Sequence, residues 1–252
     1  MKVIEQFGTD LPMATEILKL ESRLWQLALR EQLRVVLVTS ALRGEGKSTT
    51  VAYLATALAV HPGRKILAID LDFRRPSMNK HFEADVRFGL ADVLQGLCHP
   101  TEAIIKTELD GLHLMVPSRE AEKADPLLLH DTVKLQWLFD GLRMSYDMII
   151  IDAPALVPVA DAAALVPLSD GVVLMAMAGL TTKHHLNRAR DLCLGMGAKI
   201  LGLVVGNVQE AAPEYLDAGY YNAYPRPSRP TPKGRTLQDP MQPEPPRQGP
   251  TP

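Results

Sequence analysis

The chain has 252 residues, a formal net charge of −2, 46% hydrophobic residues and 22% charged residues. That suffices for one large or two small globular units with a sizeable core, and is too balanced to point to a polyanion or anionic-lipid ligand. Cys98 and Cys193 are the only cysteines, which excludes a Cys-rich zinc site and a disulfide framework.

The first predicted element is an N-terminal helical segment over residues 1–33. Ile17, Leu20, Leu24 and Leu27 fall on one face at helical spacing. Residues 1–10 lack the basic start and apolar run of a signal peptide. No apolar run reaches the ~18–20 residues of a membrane span, so a cytoplasmic chain without direct membrane insertion is expected. Six strand-like runs follow, at 34–40 (RVVLVTS), 64–70 (RKILAID), 111–116 (GLHLMV), 147–152 (DMIIID), 171–177 (GVVLMAM) and 199–206 (KILGLVVG). They are nearly continuous in Val, Ile, Leu and Met rather than alternating, as in parallel strands buried on both faces. Helical patterns lie between them at 48–60, 126–144 and 181–195. This order predicts an α/β fold over 34–210: a doubly wound, mostly parallel sheet flanked by helices. Residues 211–224 hold a tyrosine cluster. Residues 225–252 carry ten of the 20 prolines, no aromatic residue, and five basic against two acidic residues. Such a segment cannot bury enough apolar surface to offset its ordering entropy, and a disordered Pro-rich tail is predicted.

The strongest motif is Ala41-Leu42-Arg43-Gly44-Glu45-Gly46-Lys47-Ser48-Thr49, between the first strand and the helix that follows it. Gly44 and Gly46 allow the backbone to fold tightly and turn its N–H groups onto phosphate oxygens. The helix N-terminus adds its positive dipole end. Lys47 would reach the β- and γ-phosphates, and the Ser48 hydroxyl would hold Mg²⁺. The first position is Ala41 where the strict pattern has glycine. Ile69-Asp70-Leu71-Asp72 ends a buried strand, and acids two apart leave it on the same side, able to face one metal ion. Ile149-Ile150-Ile151-Asp152 ends another strand in the Walker B manner. Three such segments at carboxyl ends of strands together predict a Mg²⁺–nucleoside triphosphate site on a P-loop NTPase fold.

These segments, with Phe73-Arg74-Arg75-Pro76 after the second and Ala153-Pro154 after the third, resemble the bacterial tyrosine kinases of capsule and exopolysaccharide synthesis. The likeness runs from about residue 34 to 207. It includes Gly89-Leu90 with Gly96, Asp125-Pro126 before Leu127-Leu128, and Val159-Ala160-Asp161-Ala162. The resemblance implies that Arg43, Gly44, Glu45, Gly46, Lys47, Ser48, Thr49 and Asn207 bind ATP. It implies that Ser48, Asp70, Asp72 and Asp152 organise Mg²⁺. Lys47, Asp70, Asp72 and Arg74 would act in phosphoryl transfer, with either Asp70 or Asp72 accepting the tyrosine proton. Tyr215, Tyr220, Tyr221 and Tyr224, four of six tyrosines, would be the autophosphorylation sites. A homo-oligomer is implied, as is a transmembrane activator, or chain-length determinant, that recruits the chain to the inner face of the membrane. No nucleic-acid partner is implied. The stretch Glu16-Ile17-Leu18-Lys19-Leu20-Glu21-Ser22-Arg23 departs from the family's Glu-x-aromatic-Arg-x-x-Arg ring motif.

Other features take simpler readings. Adjacent His184 and His185 point to different sides of a helix and form its solvated start. His81, His99, His113 and His130 are scattered through the chain. Cys193 and Met175 to Met177 read as core. Two other functions stay open: a partition or cell-division ATPase, and a non-catalytic nucleotide-sensing adaptor of an export complex. The ATPases usually carry a signature lysine where this chain has Leu42.

Overall fold

The computed structural model describes residues 11–118, 131–157 and 164–208. The tyrosine cluster, the Pro-rich tail, His130, and the stretches Asp125-Pro126-Leu127-Leu128 and Val159-Ala160-Asp161-Ala162 lie outside the described residues.

In chain order the elements are α1 (Leu11–Glu31), β1 (Val35–Ser40), α2 (Lys47–Ala59), β2 (Ile66–Asp70), α3 (Met78–Phe82), α4 (Leu90–Gln95), β3 (Ile105–Lys106) and β4 (Leu112–Met115). Then come α5 (Thr132–Arg143), β5 (Met148–Asp152), β6 (Gly171–Met177), α6 (Lys183–Gly195) and β7 (Ile200–Gly206). The strands form one seven-stranded sheet in the order β3-β4-β2-β5-β1-β6-β7. Every pairing is parallel except β3 with β4. All six predicted strands are found. The seventh, β3, escaped the sequence because two residues carry no hydrophobic period.

Strand residues alternate between two cores. Val35, Leu37, Leu67, Ile69, Ile149 and Ile151 join the side covered by α4, α5 and α6. Val36, Val38, Ile66, Ala68, Met148 and Ile150 join the side covered by α1 and α2. Both faces are dry along β1, β2 and β5, which is why those runs do not alternate with polar residues, whereas the edge strand β7 leaves Leu203 and Val205 exposed. Cys193 and Met175 are buried core residues. Helix α2 is buried along most of its length, so it carries no polar stripe. The pattern at 126–144 resolves to α5, whose N-cap Asp131 accepts the Lys134 N–H at 3.1 Å.

Helix α1 packs Ile17, Leu24 and Ala28 into the second core. Its buried Glu21 takes the Arg64 guanidinium at 2.5 Å, in the turn between α2 and β2. That guanidinium lies 3.8 Å from the Trp25 ring centroid, a cation–π contact. The latch sits at the amino end of β2, the opposite end of the strand from Asp70. Among the described residues no helix is long and apolar enough to cross a membrane.

Candidate active site

The carboxyl ends of β1, β2 and β5 lie side by side, because β5 pairs with both of the others. After β1 the chain turns through the glycine loop into α2. Gly44 has φ 78° and Gly46 φ 82°, left-handed values that glycine adopts without strain. Gly46 is the N-cap of α2, so the open amides of the first helical turn face this loop.

Lys47 is 8% exposed. Its ammonium donates to Ser40 Oγ at 3.0 Å, and Ser40 Oγ donates to the Leu42 carbonyl at 2.6 Å. Burial lowers the Lys47 pKa, while the Asp152, Asp72 and Glu45 charges pull it back up and Arg43 opposes them. Lys47 is thus an ammonium held dry among acids and ready for a stronger anion.

Asp70 and Asp152 are register partners on adjacent strands, at 0% and 1% exposure. Asp70 accepts three backbone N–H groups: Asp72 at 2.9 Å, Ser77 at 2.9 Å and Met78 at 3.1 Å. Burial still pushes its carboxyl up to about 6, although those three N–H groups pull it down. Its oxygens pin the loop after β2 and the start of α3. Asp152 is different. Neither of its buried oxygens completes a hydrogen bond of good geometry. Burial, then the Asp70 charge, hold its pKa well above the ordinary carboxylate range, with the nearby Ser48 hydroxyl and Lys47 opposing. A buried acid without a full set of partners, beside a serine and a lysine, suits a hydrated cation. Among the described residues no three His, Cys, Asp or Glu side chains are grouped to hold a metal alone. A Mg²⁺ here would therefore take much of its shell from phosphates and water, as Mg²⁺ commonly does.

Asp72 is half-buried and accepts the Arg75 N–H at 3.0 Å. Arg43, Gly44, Thr49 and Arg74 are exposed around the loops, and Ser48 is half-buried. Asn207 is exposed just past β7 at φ 56°. Glu45 is fully buried. It accepts the Leu42 N–H at 2.7 Å and the Thr181 hydroxyl. Sequence reasoning missed Ser40 and Thr181. Ser40 ends the strand before the motif, a visible place, but Thr181 is 136 residues from Glu45 and left no local signal.

An AAA domain family matches residues 33–184. The tyrosine-protein kinase CpsD of Streptococcus agalactiae is 32% identical over 189 residues, 75% of this chain and 81% of that one. The kinase domain of VpsO superposes with a TM-score of 0.66 at 26% identity, covering 79% of this chain and 97% of that one. The septum site-determining protein MinD of Helicobacter pylori is 34% identical, over 48% of this chain and 44% of its own. The kinase likeness spans most of both chains, the MinD likeness less than half of either. The chain belongs to the bacterial tyrosine-kinase family, built on the P-loop AAA domain.

Proposed function

We propose that this protein is an ATP-dependent protein-tyrosine kinase that phosphorylates its own C-terminal tyrosines and thereby regulates capsule or exopolysaccharide synthesis and export. The observation that carries this reading is the cradle at the ends of β1, β2 and β5, where Lys47, Asp72 and the under-bonded Asp152 meet the glycine loop. The amides of Gly44, Gly46 and the first turn of α2, with Lys47, bind the triphosphate. Ser48 and Asp152 hold Mg²⁺ directly or through water, which when bound neutralises charge on the β- and γ-phosphoryl oxygens.

Asp72, rather than Asp70, accepts the tyrosine proton. Asp70 has both oxygens committed to backbone N–H groups, whereas Asp72 is partly open to solvent. The tyrosine oxygen attacks the γ-phosphorus, the bond to the β–γ bridging oxygen breaks, and ADP leaves. Arg74 borders this path and steadies charge on the phosphoryl group. Asn207 contacts the base. Tyr215, Tyr220, Tyr221 and Tyr224 are the acceptors, presented by a neighbouring copy in a homo-oligomer. A transmembrane activator brings the protein to the inner face of the membrane.

The MinD likeness supports a second reading, a partition-type ATPase. Against it stands Leu42, whose side chain packs on the core where those ATPases usually place a lysine. The test is anti-phosphotyrosine detection after adding Mg²⁺-ATP, with and without the activator. Wild type, Lys47→Met and a variant with all four tyrosines changed to Phe are compared. Label is expected in wild type alone. Hydrolysis without label favours the ATPase, and label surviving the four Phe changes moves the acceptor elsewhere.

A further inference from the structure

A fully buried carboxylate inside a phosphate-binding loop needs a reason, since the ligand is itself anionic. Glu45 accepts the Leu42 N–H at 2.7 Å through one oxygen and the Thr181 hydroxyl through the other. Thr181 Oγ in turn accepts the Met177 N–H at 2.8 Å, at the end of β6. The Leu42 peptide is thus held at both ends. Its N–H is on Glu45, and its carbonyl takes the Ser40 hydroxyl, which receives the Lys47 ammonium. One continuous hydrogen-bonded chain runs from the exit of β6 to Lys47. Each link depends on the previous one for its geometry.

Resting on the nucleotide-binding reading above, we propose that Glu45 and Thr181 are positioning residues for Mg²⁺-ATP, holding the phosphate loop and, through Leu42 and Ser40, the Lys47 ammonium in its binding-ready place. Neither side chain touches the nucleotide. Glu45 contributes through its two oxygens, which fix the entry of the loop by taking the Leu42 N–H and the Thr181 hydroxyl. Thr181 supplies the hydrogen bond that keeps the carboxylate aimed inward. Thr182, the next residue, caps α6 by accepting the His185 N–H, so the loop between β6 and α6 becomes a structural part of the nucleotide site.

The test uses the full chain and three variants: Thr181→Val, which keeps volume and removes the hydroxyl, Thr181→Ser, which keeps the hydroxyl, and Glu45→Gln. Mg²⁺-ATP affinity is measured by calorimetric titration, nucleotide-free melting by fluorescence, and KM and kcat with the activator present. Thr181→Val is expected to weaken Mg²⁺-ATP binding about tenfold, the scale of one hydrogen bond, and to raise KM with kcat held within about twofold. Thr181→Ser is expected to bind within about twofold of wild type. The Thr181→Val/Glu45→Gln double variant is expected to bind no more weakly than Glu45→Gln alone, because the two act in one chain. Equal affinity in the Val and Ser variants overturns the proposal. So does a fall in melting temperature with unchanged affinity, or full additivity in the double variant. If wild type binds no Mg²⁺-ATP, the nucleotide reading falls and takes this one with it. If wild type binds and Thr181→Val binds equally well, this inference alone falls.

Discussion

Asp152→Asn separates what the site costs the fold from what it does for the ligand. Asp152 is 1% exposed, lacks a well-formed hydrogen bond, and stands in register beside Asp70. An ionised buried group with unmet hydrogen bonding costs about 1–3 kcal/mol, so replacing it with a neutral isostere returns about 2 kcal/mol. For a chain of this size that raises the nucleotide-free melting temperature by about 4–8 °C at about pH 7.5. The sign with pH follows from the raised pKa values. A carboxyl raised in the folded state destabilises only when ionised. The penalty is absent below the ordinary carboxylate range, grows as pH rises, and is complete above the folded value, about 6 for Asp70. The gain from Asp152→Asn therefore shrinks at about pH 5, nearer the ordinary carboxylate range, because burial and the Asp70 charge raise the Asp152 pKa in the folded state. The assay is nucleotide-free melting at both pH values. Melting at or below wild type at the higher pH, or an equal gain at both, refutes the reasoning. In the same variant, saturating Mg²⁺-ATP loses most of its stabilising effect, which in wild type is about 2.7 kcal/mol at 100 times Kd.

Four further outcomes test the fold. Gly89→Ala places a Cβ 2.2 Å from the Ser118 nitrogen and 2.6 Å from the Pro117 carbonyl carbon. With backbone on that side the clash costs about 2–3 kcal/mol, seen in denaturant midpoints. Phe139→Ala empties a site that is 1% exposed and costs about 3–5 kcal/mol. Trp137→Ala, on the outer face of the same helix at 63% exposure, stays within about 0.5 kcal/mol in thermal melts. Asp170 accepts the Arg34 and Val35 N–H groups and a bidentate Arg143. Partial burial raises its pKa, but Arg143 and those two N–H groups together carry it below the ordinary value. That stabilisation is present above the ordinary carboxylate range and fades as pH falls through the folded value. Asp170→Asn should cost about 1–3 kcal/mol at neutral pH and little in strong acid.

Much of this is legible in the amino-acid sequence. The unbroken Val, Ile and Leu runs announced a sheet covered on both faces. Gly44 and Gly46 announced the left-handed turns that bring amides to one point. What could not be read was pairing across sequence distance. Nothing local says that Asp70 and Asp152 are neighbours, since that follows from β5 slotting between β1 and β2. Nor could residue type alone rank Asp70 against Asp72 as a proton acceptor. Nor does it show that three amides bond Asp70, since their directions depend on how the chain leaves β2. Glu45 shows the same limit: its partner Thr181 is 136 residues away in sequence and reaches it only because β6 pairs beside β1.

The clasp of Glu21, Arg64 and Trp25 fastens α1 at the rear margin of the sheet, away from the phosphate loop. Because α1 also packs along α2, the helix that begins at Lys47, loosening that clasp by Arg64→Ala would free the rear corner of the sheet on the very helix that carries the phosphate-loop lysine.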